Sequence, residues 1–424
     1  MAKQPKAPSG LRMVIYTPSG LTFPTTDAEK RSFDFFLAQS RDCFPLDFSQ
    51  AILQAAQTDQ AFSFAVVSLG AAQRIYEYED NLAADRRLGD LAMQQYGKAL
   101  QLLQGTTETR SIETFLMCCV LFASFESLRG CRKSAVIHIQ SGLKLLRQSS
   151  PGKWSLVSPE TIASIFTRLD NQLVELLGTS INETLDENRS NATTALAPIA
   201  PQSPNRDLYR SLDSLLNRIF HHQLDRALIT EGRLDPDGFS MSHQHTCIEL
   251  QQSHRMLAAS MSPPNQLVHD TPDEADSEVL QIWNLLAQMY IAVWPGSGSE
   301  IVWDTFVHEF DTILALSEAY LLRTRNPTRR RTFGFSIGVI PPLYVTATRC
   351  REPRIRRRAI QLLAEHQRRE VMWDSTHAAE AARQVMEMEE LAASVPSPDG
   401  QGTRVKMVFA VFDDEDGVRY DFER

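Results

Sequence analysis

From Phe115 to Ala123 the chain reads Phe-Leu-Met-Cys-Cys-Val-Leu-Phe-Ala, with no polar residue in the run. A helix of that composition is apolar on every side, so it is stable only where other elements cover it all round. The run is about half the roughly 20 apolar residues that a membrane span needs, and Ser124 and Glu126 close it. It therefore predicts a buried central helix in a soluble core. Gly130 supplies the residue type that ends helices in the left-handed conformation. Val136, Ile139, Leu143 and Leu146 then return at the spacing of an amphipathic helix. The stretch Ser111 to Gln148 is thus predicted to be a helical hairpin, its first arm enclosed.

A chain of 424 residues is long enough to enclose such a helix, and 43 % hydrophobic with 22 % charged residues excludes wholesale disorder. Residues 1–31, rich in Pro, Ser and Thr, are expected to form a mobile N-terminal arm. Ser32 is the expected N-cap of a first short helix. Helical periodicity follows around Ala51–Tyr78, Asp85–Leu103, Glu160–Leu177, Leu208–Ile229, 243–260, a helix reaching Trp294, and Ile301–Leu322. Residues 182–206, with prolines at 198, 201 and 204, are the expected disordered loop. Further helices are expected from Ile337 to Cys350, from Pro353 to Arg369, and from Asp374 to Ala393. Beyond 396 the period changes to two. Val405, Met407, Phe409 and Val411, then Val418, Tyr420 and Phe422, predict a C-terminal β-hairpin within 396–424. The predicted class is all-α, with serially packed helical hairpins in one large domain over residues 32–395.

Charge is unevenly placed. The chain carries a formal net charge of −9, yet residues 323–369 hold 13 arginines against two glutamates, a local +11 that leaves −20 to the rest. Arg329, Arg330, Arg331, Arg354, Arg356, Arg357 and Arg358 are the candidates for a nuclear-import address or for contact with phosphate, because clustered guanidinium groups serve both. The alternative is a helix surface whose arginines pair with the acidic remainder. Helical geometry sends Arg354, Arg356, Arg357 and Arg358 to most sides of one helix, which favours that alternative for about half of them.

Catalytic and metal motifs are weak. Gly334-Phe-Ser336-Ile-Gly338 spells the G-x-S-x-G of a nucleophile elbow, but a charged loop precedes it where that turn needs a buried strand. His221-His222 and the group His243, His245 and His254 lack the spacing and co-ligands of a metal site, and read as solvated or helix-capping residues. No catalytic, cofactor or metal residue is predicted, and the chain is expected not to be an enzyme. The polar N-terminus shows no apolar leader, so Cys43, Cys118, Cys119, Cys131, Cys247 and Cys350 are expected to stay reduced. The glycosylation triplets at Asn182, Asn188 and Asn191 are expected to go unused for the same reason.

The strings Phe125-Glu126-Ser-Leu128-Arg129-Gly130, Ala135, His138, Ser141-Gly142-Leu143 and Leu145-Leu146 resemble the signature hairpin of the fungal-specific transcription factor family. Ser32–Phe36, Ala65–Ala72 and Tyr96–Leu103 are similar to blocks that precede it. Ile340–Tyr344, Cys350–Pro353, Ile355–Ala359, Arg368-Arg369-Glu370 and Trp373-Asp374-Ser375 are similar to the C-terminal block. The resemblance implies a helical regulatory domain of the kind that follows a binuclear zinc cluster. It implies a nuclear transcriptional regulator acting by protein contact or effector sensing, with a pathway-specific role. Other regulatory proteins, a second copy or a zinc-cluster protein are the implied partners. Glu126, Arg129, Gly130, His138 and Gly142 are expected to hold helices together: Glu126 and Arg129 as i, i+3 neighbours, Gly142 by close approach of a partner helix.

In that family the zinc cluster needs six closely spaced cysteines, and the first 42 residues here contain none. DNA binding by this chain is therefore not expected. The alternative is a cytoplasmic helical interaction protein derived from the family. A reading frame upstream of Met1 that encodes the cysteines would favour the DNA-binding regulator.

Overall fold

The computed structural model describes residues 24–78, 82–105, 110–149, 154–178, 205–232, 239–261, 273–293, 300–335, 337–393, 404–405, 407–412 and 418–423. Most of the expected arm, the expected loop at 182–206 as far as residue 204, and Ser336 lie outside them.

Helix α5 (Ile112–Arg129) is the enclosed element. Leu116, Met117, Val120, Leu121, Ala123 and Phe125 have no solvent exposure at all. Ser111 caps its start by accepting from the Thr114 N–H at 3.3 Å, and Gly130 ends it at φ 89°. Helix α3 (Gln60–Tyr78) lies along α5 and also packs on α1 (Asp27–Cys43) and α4 (Leu82–Gly105), while α2 (Leu46–Thr58) closes one side of α3. Helix α6 (Arg132–Gln148) completes the hairpin and leads to α7 (Pro159–Leu177).

The chain then stacks α8 (Asn205–Thr230) on α7, followed by α9 (Phe239–Ser260), α10 (Asp273–Val293) and α11 (Val307–Arg323). A 3-10 helix, Glu300–Phe306, occupies the first turns of the stretch expected to be helical from Ile301. Helices α12 (Ile340–Arg349), α13 (Pro353–Glu365) and α14 (Ser375–Ala393) pack mutually into a C-terminal block. The fold is all-α with small β elements, as the periodicity predicts.

Two local expectations are corrected. Helix α1 starts at Asp27 and Ser32 lies inside it, where its hydroxyl donates to the Ala28 carbonyl at 2.9 Å. The start is set by a capping box: the Glu29 N–H donates to Thr26 Oγ1 at 3.2 Å, and the Glu29 carboxylate accepts from the Thr25 and Thr26 N–H groups at 2.9 Å. The helix expected to run on to Arg369 stops at Glu365. Arg368–Glu370 is instead strand β2, parallel to β1 (Thr332–Gly334) and antiparallel to β3 (Trp373–Asp374). Near the C-terminus β4 (Met407–Phe412) and β5 (Val418–Glu423) form the expected antiparallel hairpin, with Val408 opposite Phe422.

Two glycines allow close helix contacts. A Cβ on Gly142 would stand 2.2 Å from the buried Phe166 ring of α7, and one on Gly70 would stand 2.2 Å from the Ser32 carbonyl of α1. Gly97, in the middle of α4, has nothing within 4 Å of that position. Gly142→Ala and Gly70→Ala are therefore expected to destabilise by about 1–3 kcal/mol. Gly97→Ala is expected to stabilise by up to about 1 kcal/mol. Thermal melts of the three variants check the ordering.

Candidate functional site

The hairpin residues come together around Tyr96, the first residue of the Tyr96–Leu103 block. Tyr96 of α4 stacks on Phe125 with ring centroids 4.6 Å apart and meets Phe122 edge-on at 5.1 Å. Its hydroxyl lies 2.8 Å from His138 Nε2 of α6 and also hydrogen-bonds the Glu126 carboxyl. Glu126 in turn accepts from Arg129 at 2.8 Å, and the Arg129 guanidinium lies over the Phe125 ring. A carboxylate can only accept, so the single phenolic proton goes to Glu126 and His138 donates from Nε2 to the phenol oxygen. Burial raises the Tyr96 phenol above its ordinary value and pushes His138 down to about 4. His138 is therefore neutral at physiological pH, and the cluster is a hydrogen-bonded chain joining α4, α5 and α6. Cys118 and Cys119, nearby on α5, are held as thiols because burial raises both, Cys119 to about 12.

The basic segment is internally paired. Of its 13 arginines, ten stand within salt-bridge distance of a carboxylate: Arg323, Arg329, Arg349, Arg351, Arg354, Arg356, Arg357, Arg358, Arg368 and Arg369. The four on α13 point to different elements, as the helical wheel implies. Arg354 reaches Asp311 and Arg358 reaches Glu318, both on α11, while Arg356 and Arg357 reach Glu389 and Glu390 on α14. Arg356 is buried and also donates to the Ala347 carbonyl at 2.8 Å. Glu389 gathers Arg351, Arg356 and the Val405 N–H within 3.0 Å, and these contacts hold its carboxyl below the usual range against the opposing effect of burial. In the preceding loop, Arg329 also bonds Tyr78, the Arg330 N–H donates to the Glu77 carbonyl, and Arg331 lies over the Tyr76 ring.

A second buried polar group links α7 to α8. Arg168 pairs with Asp213 at 2.9 Å, and Asp170 holds His221 at 2.6 Å. His222 is buried and His254 meets the Asn284 carbonyl, so these three histidines are structural rather than solvated. The side chain of His243 lies outside the described residues, and His245 is exposed. Between α7, α8, α10 and the start of α12 lies a cavity of about 20 Å³, lined by Asn171, Gln172, Glu175, Trp283 and Glu370 among others. That space suits a single water. Burial pushes the Glu175 carboxyl up to about 8, with Tyr290 donating toward it at 3.5 Å. Among the described residues no group of three or more His, Cys, Asp or Glu could hold a metal ion, and no helix is long and apolar enough to cross a membrane.

Sequence reasoning missed Tyr96, Glu175 and Glu389. Tyr96 had a signal, being a hydroxylated ring on an otherwise apolar helix face. Glu175 and Glu389 had none, since their partners lie on other elements.

Two outcomes follow. In His138 the folded value lies below the unfolded one, so protonation favours the unfolded chain. Its contribution to stability is full above about pH 6.5 and falls away as pH drops toward 4, by roughly 1–3 kcal/mol. Denaturant titrations at stepped pH check this, and His138→Gln should flatten that window. Arg356→Ala, which strips one of two guanidinium partners from buried Glu389, is expected to cost on the order of 3 kcal/mol. Arg354→Ala, at an exposed pair, is expected to leave the melting temperature unchanged.

Residues 33–177 match the family model described as the fungal specific transcription factor domain. The match spans α1 to α7 and contains the whole Tyr96–Glu126–His138 cluster. The chain is also 26 % identical, over 491 aligned residues, to the "Aspercryptin biosynthesis cluster-specific transcription regulator atnN" of Emericella nidulans, covering 91 % of this chain and 79 % of that protein. No solved structure matches. Residues 33–177, which contain the hairpin that the Phe115–Ala123 run builds, are thus similar to the fungal-specific transcription factor domain.

Proposed function

We propose that this chain is a pathway-specific transcriptional regulator that works through its helical domain, by contact with other regulatory proteins or by sensing an effector. The observation that carries the reading is the family match over residues 33–177. The relative from Emericella nidulans, named as a cluster-specific transcription regulator and aligned over nearly the whole chain, supports the pathway-specific part. The domain acts in the nucleus, and its chemistry is recognition rather than catalysis. A second copy of the chain or a zinc-cluster protein is the proposed partner.

The ion pairing supports a division of labour within such an assembly. Arg356, buried and bound to Glu389, holds helices together, and a phosphate would have to displace that carboxylate to reach it.

The test is a deletion strain compared with one carrying a tagged copy. The tagged protein is expected in the nucleus, and deletion is expected to silence or release a small set of co-located genes. Exclusion from the nucleus together with an unchanged transcriptome would overturn the reading.

A further inference from the structure

The turn joining β2 to β3 contains the one non-glycine residue of positive φ among the described residues, Val371 at φ 51°. A β-branched side chain is strongly disfavoured there, because its Cβ substituents crowd the backbone. Strain of this kind persists only where the surroundings hold it. Here the surroundings are the family domain. Ser127, near the end of α5, donates its hydroxyl to the Val371 carbonyl, and Arg369 donates to the Ser127 carbonyl. The Met372 N–H donates to Gln172 of α7 at 3.1 Å. Val371 itself is fully buried.

The same turn begins with Glu370, whose carboxylate caps α12 by accepting from the Val339 and Ile340 N–H groups at 3.1 Å each. That carboxylate fills the space beside Gly338, where a Cβ would stand 1.9 Å from it. A strained turn thus grips α12 on one side and the ends of α5 and α7 on the other. The small cavity lined by Gln172, Glu175 and Glu370 lies directly against it. Three hydrogen bonds among the described residues hold the turn to α5 and α7, and the strain works against them.

We propose that the β2–β3 turn is a releasable latch, which opens locally while the helical body stays folded and so decides whether the C-terminal block remains seated on α5 and α7. Opening withdraws Met372 from Gln172 and joins the cavity to the gap left by the turn. The latch concerns contacts within this chain, so it stands or falls separately from the transcriptional reading.

The Met372 amide is the reporter, because Gln172 is its acceptor. Hydrogen exchange is measured residue by residue on the full chain, with the interior amides of α3, Val66 and Val67, as reference for global unfolding. Met372 is expected to exchange faster than the reference. Ser127→Ala is expected to speed Met372 by about five-fold, the weight of one hydrogen bond, and to leave Val66 and Val67 unchanged. Should Ser127→Ala not fold, a second pair tests the strain. Both Val371→Gly and Val371→Ala remove the isopropyl group, and at an ordinary position the glycine variant would open more readily. At this φ it is expected to open less readily than the alanine variant. Exchange of Met372 at the reference rate, acceleration of both sites together, or faster opening in Val371→Gly than in Val371→Ala would each overturn the latch.

Discussion

The burial of α5 on all sides is the constraint that organises the molecule. Covering a helix whose Leu116, Met117, Val120, Leu121 and Phe125 are wholly shielded requires neighbours on every face, and α3, α6 and the ends of the C-terminal block supply them. The cover brings a secondary requirement. Neighbouring helices must approach closely enough to leave no gap, and Gly142 beside Phe166 and Gly70 beside the Ser32 carbonyl let them do so. A domain built this way has little tolerance for added volume at its seams and more at its outer helices.

Polar groups inside such a body have to be satisfied locally, and they are gathered at junctions rather than dispersed. Tyr96, Glu126 and His138 join α4, α5 and α6. Glu389 of α14 joins the α12–α13 connection, α13 and the segment at Val405. Both arrangements are self-contained, with charges neutralised or shared inside the chain. The basic segment thus has a structural explanation that its composition concealed. An arginine-rich helix in an acidic protein is mostly the counter-charge of its own neighbours. The Arg329–Arg331 loop follows the same rule, leaning on Tyr76, Glu77 and Tyr78 of α3.

Much of this was legible in the residues and some was not. The α5–α6 hairpin was legible because an apolar run followed by a glycine and a 3.6-residue period leaves few alternatives. The capping box at Thr26–Glu29 was equally present in the sequence, but it lies in a stretch whose prolines and serines suggest an arm. The β1–β2 pairing offered no local signal. Thr332–Gly334 and Arg368–Glu370 are three residues each, and their partners lie more than thirty positions apart. Helical periodicity through Arg354–Leu363 therefore carried the expected helix past its true end.

By itself the sequence determined the class of the fold, the position of its enclosed helix and the likeness of residues 33–177 to a known family domain. These depend on composition and periodicity along short segments. The tertiary structure alone decided which acids neutralise the arginines, which tyrosine completes the hairpin cluster, and that Val371 is held in a strained turn between α5, α7 and α12. The physical reason is common to all three. Ion pairing, buried hydrogen bonding and backbone strain depend on groups brought together from distant parts of the chain, and local sequence does not record which groups will meet.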